Sequence, residues 1–116
     1  MEYQELVSYS GYVYLRQIFE PQDNTVILHI DRCKINANTE DIKIGDSVIQ
    51  NVRSIDVDKT VPSIQMEFQR YIAYSVRNES YTMWDDYEVF SGSSFRMYSK
   101  SRYLDFIEVG TIASDD

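Results

Sequence analysis

The most regular alternation of hydrophobic and polar positions along the chain runs over residues 64–76. Its even positions are apolar with the single exception of Arg70, and they read Ile64, Met66, Phe68, Arg70, Ile72, Tyr74 and Val76. A period of two indicates a β-strand with one buried face. At about 3.3 Å per residue this strand would exceed about 40 Å, so we expect a bend or bulge within it.

A second alternating run, residues 81–90, predicts a partner for this strand. A two-residue turn at Asn78-Glu79 aligns the apolar faces of the two runs and places Arg70 diagonally beside Asp85. These two residues are the only charges on the shared face. We therefore expect an ion pair between Arg70 and Asp85.

A second hairpin is predicted around the loop at residues 91–94. A three-residue turn centred on Gly92 sets Val89 against Phe95, whereas a four-residue turn sets Val89 against Arg96. We prefer the three-residue turn because it pairs two apolar side chains. It also gives Gly92 a role at positive φ.

Shorter strands are predicted in the first half of the chain, where β-branched and aromatic runs alternate with polar turns. Residues 12–19 form one such strand, which Pro21 should end. Residues 20–24 read as a hairpin loop, and residues 36–39 as a further turn.

The apolar positions change phase within residues 25–35. They lie first on one face and then on the other, in the order Val26, Leu28, Ile30, Cys33 and Ile35. The slip at Asp31-Arg32 indicates a bulge or the start of a new strand. Residues 48–57 contain β-branched side chains in an irregular phase and are also predicted as strand.

Two segments are candidates for helices. Residues 101–109 place apolar side chains three and four apart, with Ser101 available as the N-cap and Gly110 as the stop. Residues 2–9 are a weaker case.

Together these elements predict an all-β, mainly antiparallel fold of about six or seven strands, with a short helix near the C-terminus. The strands could form a β-sandwich or a small closed β-barrel. The length of 116 residues suits one domain. Because no repeat or linker divides the chain, residues 1–116 are interpreted as a single domain.

The charge balance limits the partners of this domain. The chain has 19 acidic and 11 basic side chains and a net charge of -8. Because this charge disfavours polyanions, we expect no nucleic-acid and no membrane binding. Residues 1–5 are acidic and lack the basic and apolar regions of a secretory signal, so we expect a cytoplasmic protein.

The single histidine and the single cysteine, His29 and Cys33, are the first candidates for catalysis. Their spacing would join them on a helix, but on a β-strand it separates their side chains by roughly 13 Å. A serine triad has no other histidine to use, and one cysteine cannot form an intrachain disulfide or a thiolate zinc site. We therefore expect no enzymatic activity and no cofactor.

Acidic residues are densest at Asp85, Asp86 and Glu88. Strand alternation places Asp85 on one face and the other two carboxylates on the opposite face, and their spacing is not that of a calcium-binding loop. We expect these residues to be solvated or ion-paired rather than to bind a metal.

Residues 95–103 interleave three basic and three aromatic side chains, a composition typical of segments that bind single-stranded nucleic acid. In the predicted hairpin, however, this run faces the acidic residues 84–88, so the opposite charges can neutralise each other. This pairing again argues against a nucleic-acid partner.

Arg70 supports two interpretations, because a charge on an apolar face needs a partner. In the first it forms a structural ion pair with Asp85. In the second the sheets enclose a small-molecule pocket, in which Arg70 binds an anionic group of the ligand. Asp85, Tyr74 and Tyr87 complete the wall of that pocket.

The ten tyrosines favour a protein interface, since Tyr and Trp are enriched there. The interface candidates are Tyr9, Tyr12, Tyr14 and Trp84. The leading hypothesis is a non-enzymatic protein-binding module of an inhibitor or immunity type, whose acidic surface meets a basic partner; self-association is the other form of such binding. The alternative is a small-molecule-binding domain with its pocket at Arg70.

Overall fold

The structure is a computed structural model, and it describes residues 2–113. Its elements, in chain order, are α1 Tyr3–Ser8, β1 Val13–Gln22, β2 Thr25–Ile35, β3 Glu40–Ile44, β4 Ser47–Val52, β5 Ile55–Val57, β6 Ile64–Gln69, a 3-10 turn Glu79–Tyr81, β7 Val89–Gly92, β8 Arg96–Lys100 and α2 Arg102–Gly110. The predicted all-β class is confirmed, with eight strands in antiparallel pairs rather than six or seven. The sheets are open, as in a sandwich-like fold.

The central sheet is built around β2, which pairs with β1 along one edge. The connecting turn is Asp23-Asn24, where Asn24 adopts a φ of 65°. Contrary to prediction, Pro21 does not end β1. It lies at a register shift between Phe19 and Gln22 on the outer strand, where its missing N–H leaves no ladder bond unmade.

The other edge of β2 is shared by two strands. Residues 25–30 pair with β6, and residues 33–35 pair with β5. The change of partner falls at Asp31-Arg32, where the apolar phase slips in the sequence. The slip therefore marks one continuous strand that leaves one neighbour and meets another, not a new strand.

The buried core lies on this sheet and consists of Val26, Ile30 and Ile64. Ile30 pairs with Leu15 of β1 on one side and with Ile64 of β6 on the other, so it has a strand on each side. Burying each such side chain contributes about 1.5–3 kcal/mol.

β3 and β4 form a hairpin that continues the β2–β5 pair beyond the sheet. Ile35 pairs with Ile55, and the amide of Asn36 then donates to the carbonyl of Ser54 at 2.7 Å. We call residues 40–52 the arm. Its tip is the turn at Gly45, which adopts a φ of 59°. The predicted strand at 48–57 is thus two strands, and β3 was not predicted.

The predicted 13-residue strand is wrong in its second half, because β6 ends at Gln69. Gln69 pairs with Thr25, the first residue of β2, so a longer β6 would have no partner to pair with. Arg70 turns away with a φ of 57°, and its amide donates to the carbonyl of Asn24 at 2.7 Å. The predicted turn at 78–79 is instead the cap of the 3-10 turn.

β7 and β8 form the predicted hairpin, but in neither of the proposed registers. Val89 pairs with Lys100, and the loop is residues 93–95. The prediction for Gly92 is confirmed: its φ is 97°, and a Cβ there would lie 2.1 Å from the carbonyl oxygen of Phe95.

Both predicted helices are present as α1 and α2, but Gly110 is not the stop: it is the last residue of α2, and the C-cap is Thr111. Ser101 caps α2 as expected, since its hydroxyl oxygen accepts from the amide of Leu104 at 3.0 Å. Within residues 2–113 no helix has the length and apolarity needed to cross a membrane.

Candidate functional site

The four residues of the predicted small-molecule pocket lie in separate places. Arg70 is exposed at the end of β6, beside the Asp23-Asn24 turn. Tyr74 packs edge-on against Tyr71 at 5.2 Å, next to the apolar side chains of the central sheet. Asp85 and Tyr87 lie beside α2.

The predicted ion pair between Arg70 and Asp85 is wrong. Asp85 instead pairs with Arg102, whose guanidinium nitrogen lies 2.5 Å from the carboxylate. The prediction required a long β6 paired with residues 81–90, and the end of β6 at Gln69 removes that register. Arg70 instead lines a cleft beside the Asp23-Asn24 turn, and the other three predicted pocket residues do not line that cleft.

Asp85 and Tyr87 belong to a polar cluster at the start of α2, which we call the clasp; its members are Asp85, Tyr87, Glu88, Lys100, Arg102 and Asp105. The Tyr87 hydroxyl donates a hydrogen bond to Asp105. Arg102 and Lys100 lie over the Tyr87 ring at 4.6 and 4.4 Å from its centroid. The amide of Arg102, left free by the helix, donates to Glu88 at 3.2 Å.

These contacts shift pKa values in the directions expected of a paired cluster. The hydrogen bond from the Arg102 side chain, and then the one from the Tyr87 amide, lower the pKa of Asp85. The hydrogen bond to Asp105 raises the pKa of Tyr87. Because each charged group already has a partner here, the clasp fastens residues 85–88 to α2 and offers little to a ligand.

His29 and Cys33 lie on β2, as predicted, and neither is set up for catalysis. The Nε2 atom of His29 is 3.1 Å from Oε1 of Gln65, and its ring packs edge-on against Phe19. The Cys33 thiol is 3.9 Å from the backbone carbonyl of Asp31. The thiol and the imidazole have different neighbours, so they do not form a nucleophile and base.

The most open apolar surface of the sheet is formed where β1, β2 and β5 run side by side. The strand register places Tyr12 beside Cys33, Cys33 opposite Val57 and Ile35 opposite Ile55. Cross-strand partners point to the same side of a sheet. We call this surface the tyrosine face; its members are Tyr12, Tyr14, Cys33, Ile35, Ile55 and Val57.

The tyrosine face is exposed to an extent that is unusual for apolar sheet residues. Tyr12 and Tyr14 are 54% and 58% exposed. A shallow cleft of about 490 Å³ lies on the face, and Glu79 is among the residues that line it. An exposed, contiguous apolar surface with a polar rim is typical of an interaction site.

The four predicted interface residues are divided by the fold. Tyr12 and Tyr14 come together on the tyrosine face. Tyr9 packs against Phe95 with ring centroids 6.0 Å apart, and its carbonyl oxygen accepts from the amide of Ser94. Trp84 is exposed on the segment that leads into the clasp.

The arm carries a second apolar surface that the sequence interpretation missed. Ile42 pairs directly with Ile49, and Ile44 lies two residues along on the same side. All three isoleucines are exposed. Part of the signal was present in the sequence, since Gly45-Asp46 is a hairpin turn pattern and the run before it alternates at Ile42 and Ile44.

Among the described residues, no group of three or more His, Cys, Asp or Glu side chains is placed to hold a metal ion. Comparison with known proteins found no match: no family model, no curated protein and no solved structure is similar to this chain. The geometry of the tyrosine face and the arm is therefore the basis for a functional proposal.

Proposed function

We propose that the protein is a non-enzymatic protein-binding module and that the tyrosine face is its docking surface. The observation that carries this proposal is the row of half-exposed aromatic and aliphatic side chains across β1, β2 and β5. Burying such side chains against a partner contributes about 25 cal/mol per Å² of apolar surface, before the costs of association.

The composition of the face suits a protein better than a small molecule. Tyrosines supply large, rigid contact area with a hydroxyl that can remain hydrated. The cleft across the face is shallow and open, whereas small-molecule sites enclose most of their ligand. The geometry supports a small-molecule site at Arg70 less well, because Asp85 and Tyr87 lie in the clasp, away from Arg70 and Tyr74.

An inhibitor or immunity-type role is the finer form of this proposal. The net charge of -8 then favours a basic partner. The acidic rim near the face includes Glu79 and Asp31, and Asp31 is already paired with Arg16 at 3.2 Å. Binding of a basic partner would weaken as salt is raised, because salt screens exposed charges.

A pull-down with matched variants tests the proposal. The immobilised chain is compared with Tyr12→Ser/Tyr14→Ser and with Tyr3→Ser, a control on α1 that is 59% exposed and outside the face. We expect the wild-type chain and the control to retain the same protein from an extract of the source organism, and the double variant to lose it. The retained protein can be a second copy of this chain or a different one.

The proposal fails in either of two cases. In the first, the Tyr12→Ser/Tyr14→Ser variant retains the same proteins as the wild type. In the second, nothing is retained at low salt and the wild-type chain does not self-associate.

A further inference from the structure

We propose that the tyrosine face is covered by the arm of a second copy of this chain. This inference rests on the proposed function and names the occupant of the same surface. It follows from four observations: the exposed area of the chain, the apolar side of the arm, the geometry of the junction between arm and sheet, and the strand register of both surfaces.

The chain exposes more surface than a folded monomer of its size. Its accessible surface is 9691 Å². A compact monomer of 13.7 kDa exposes about 6,600 Å², so about 3,000 Å² is left open beyond the usual value. Its radius of gyration is 17.9 Å, where a compact chain of this length has about 13 Å.

This open area is what an obligate dimer requires. Obligate dimers bury about 2,000–5,000 Å² in total, or about half of that on each chain. The surplus on one chain is large enough to supply its share of such an interface. A small transient contact would leave most of the surplus uncovered.

The arm needs a cover that its own chain does not provide. All of residues 40–51 are exposed. A two-stranded hairpin alone is at best marginally stable in water, because it lacks a layer against which to bury its apolar face. Ile42, Ile44 and Ile49 form such a face on one side of the arm.

The junction between sheet and arm holds the arm away from its own tyrosine face. The side-chain amide of Asn36 donates to Asp56 at 3.2 Å, and the hydroxyl of Ser54 donates to the same carboxylate oxygen at 3.0 Å. These bonds brace the β2–β5 ribbon where the arm continues it. In the structure residues 40–51 are exposed, so the arm does not lie on its own tyrosine face, and we infer that the cover comes from another copy.

Arm and face are different surfaces, and in a two-fold dimer the arm of each copy contacts the face of the other, which makes the interface isologous. Exchange of arms about a two-fold axis gives two equal contacts and a closed dimer. Each contact places three isoleucines of one copy against the tyrosine face of the other. The segments that join the arm to the sheet, residues 36–39 and 53–54, directly follow Ile35 and precede Ile55 of the face, so the two contacts would adjoin each other.

The net charge supplies a signature that separates this dimer from binding of a basic partner. Each copy carries -8, so repulsion opposes association at low salt. Screening by added salt therefore strengthens the dimer, whereas it weakens a complex with a basic protein.

Sedimentation equilibrium of single variants and of their mixture tests the inference. The arm variant is Ile42→Ser/Ile49→Ser, the face variant is Tyr12→Ser/Tyr14→Ser, and Val48→Ser, on the opposite side of the arm, is the control. We expect a wild-type dimer that tightens with salt, a control that resembles it, and association weakened about 10- to 100-fold or more in each double variant.

The mixture of the two double variants is decisive. A chain with an intact face and a chain with an intact arm can still form one of the two contacts, so the equimolar mixture should associate more tightly than either variant alone. A dimer formed face to face could not be rescued in this way. All altered side chains are exposed, and circular dichroism of each variant verifies that it is folded.

Three results would overturn the inference, and they separate it from the proposed function. A wild-type chain that stays monomeric at millimolar concentration, yet retains a different protein through Tyr12 and Tyr14, refutes arm exchange and leaves the docking surface in place. A dimer that survives in the arm variant, or a mixture that fails to associate, also refutes arm exchange. A monomer that retains no protein removes both proposals.

Discussion

The central sheet and the arm each contain a directly paired isoleucine couple, and the two couples have opposite environments. Ile30 and Ile64 in the sheet are 6% and 7% exposed, whereas Ile42 and Ile49 in the arm are 41% and 50% exposed. Ile30 lies on β2, which has a strand on each side, and Ile64 pairs directly with it from the outer strand β6. In the arm neither isoleucine is on a strand with two neighbours, because each strand of the arm pairs only with the other.

This comparison shows that strand pairing alone does not bury an apolar side chain. Pairing satisfies the backbone hydrogen bonds, and burial then requires a further strand or layer. Within its own chain the arm has paired backbone hydrogen bonds but lacks a further strand or layer that would bury its isoleucines. The proposed arm exchange supplies that layer from a second copy.

The largest predicted effect is a difference in the free energy of unfolding between a variant of the sheet pair and a variant of the arm pair. Ile64→Ala should lower the free energy of unfolding by about 2–5 kcal/mol, because it leaves a cavity in the core. Ile49→Ala should lower it by less than about 0.5 kcal/mol when the chain is dilute enough to be monomeric. Urea denaturation followed by tryptophan fluorescence and circular dichroism measures both. Equal losses would contradict the distinction between sheet and arm.

A smaller effect is expected at the start of α2, where a polar group rather than an apolar one is buried. Ser101 is buried and caps the helix. Ser101→Ala should cost about 1 kcal/mol, because the amide of Leu104 loses its acceptor. Ser93→Ala, in the exposed loop of the β7–β8 hairpin, is the control and should change the thermal midpoint little. Similar shifts in the two variants would show that the cap contributes nothing.

The smallest effect concerns the exposed ion pair in the clasp. The lowered pKa of Asp85 means that its stabilising contribution is present above the unfolded-state pKa of 3.8 and is lost as the pH falls through the lower folded-state pKa. Arg102→Gln should therefore lower the thermal midpoint slightly at neutral pH and not at pH values well below 3.8.

Arg70→Gln is the control for that experiment, since Arg70 does not pair with Asp85. Its pH profile should match that of the wild type. A profile like that of Arg102→Gln would restore the pairing that the alternation of residues 64–76 suggested.

At the alkaline end the raised pKa of Tyr87 predicts a contribution to stability that is present below pH 10.0 and lost as the pH rises through the folded-state pKa.

The features that could be predicted from sequence are those that depend on neighbouring residues. The cap at Ser101 and the positive φ of Gly92 follow from local geometry, and both are observed. The phase slip at Asp31-Arg32, which predicted a bulge or the start of a new strand, also located a real change in the sheet, where β2 exchanges β6 for β5 as its partner.

The predictions that failed concern features that depend on where a partner strand ends. Alternation continues past Gln69, but β2 begins at Thr25, so β6 stops there and the pair between Arg70 and Asp85 is lost. Alternation shows which residues can form a strand, and it carries no information on how far the neighbouring strand extends.

The sequence identified only part of the candidate site, again because it does not show which strands are neighbours. Tyr12 and Tyr14 were selected as tyrosines, but their aliphatic neighbours on the face come from β2 and β5, which the sequence does not place side by side. Of the arm, only the second strand overlaps a predicted strand, 48–57; the first strand was missed because it opens with Glu40-Asp41 and alternates only at Ile42 and Ile44.

Arm exchange can be observed in the unmodified protein by hydrogen–deuterium exchange at a low and a high protein concentration. The arm, residues 40–52, and the strands of the tyrosine face should gain protection together as the concentration rises, while α2 and the β7–β8 hairpin exchange at the same rate throughout. An arm that exchanges equally fast at both concentrations, or a face that gains protection while the arm does not, would contradict the exchange of arms between two copies.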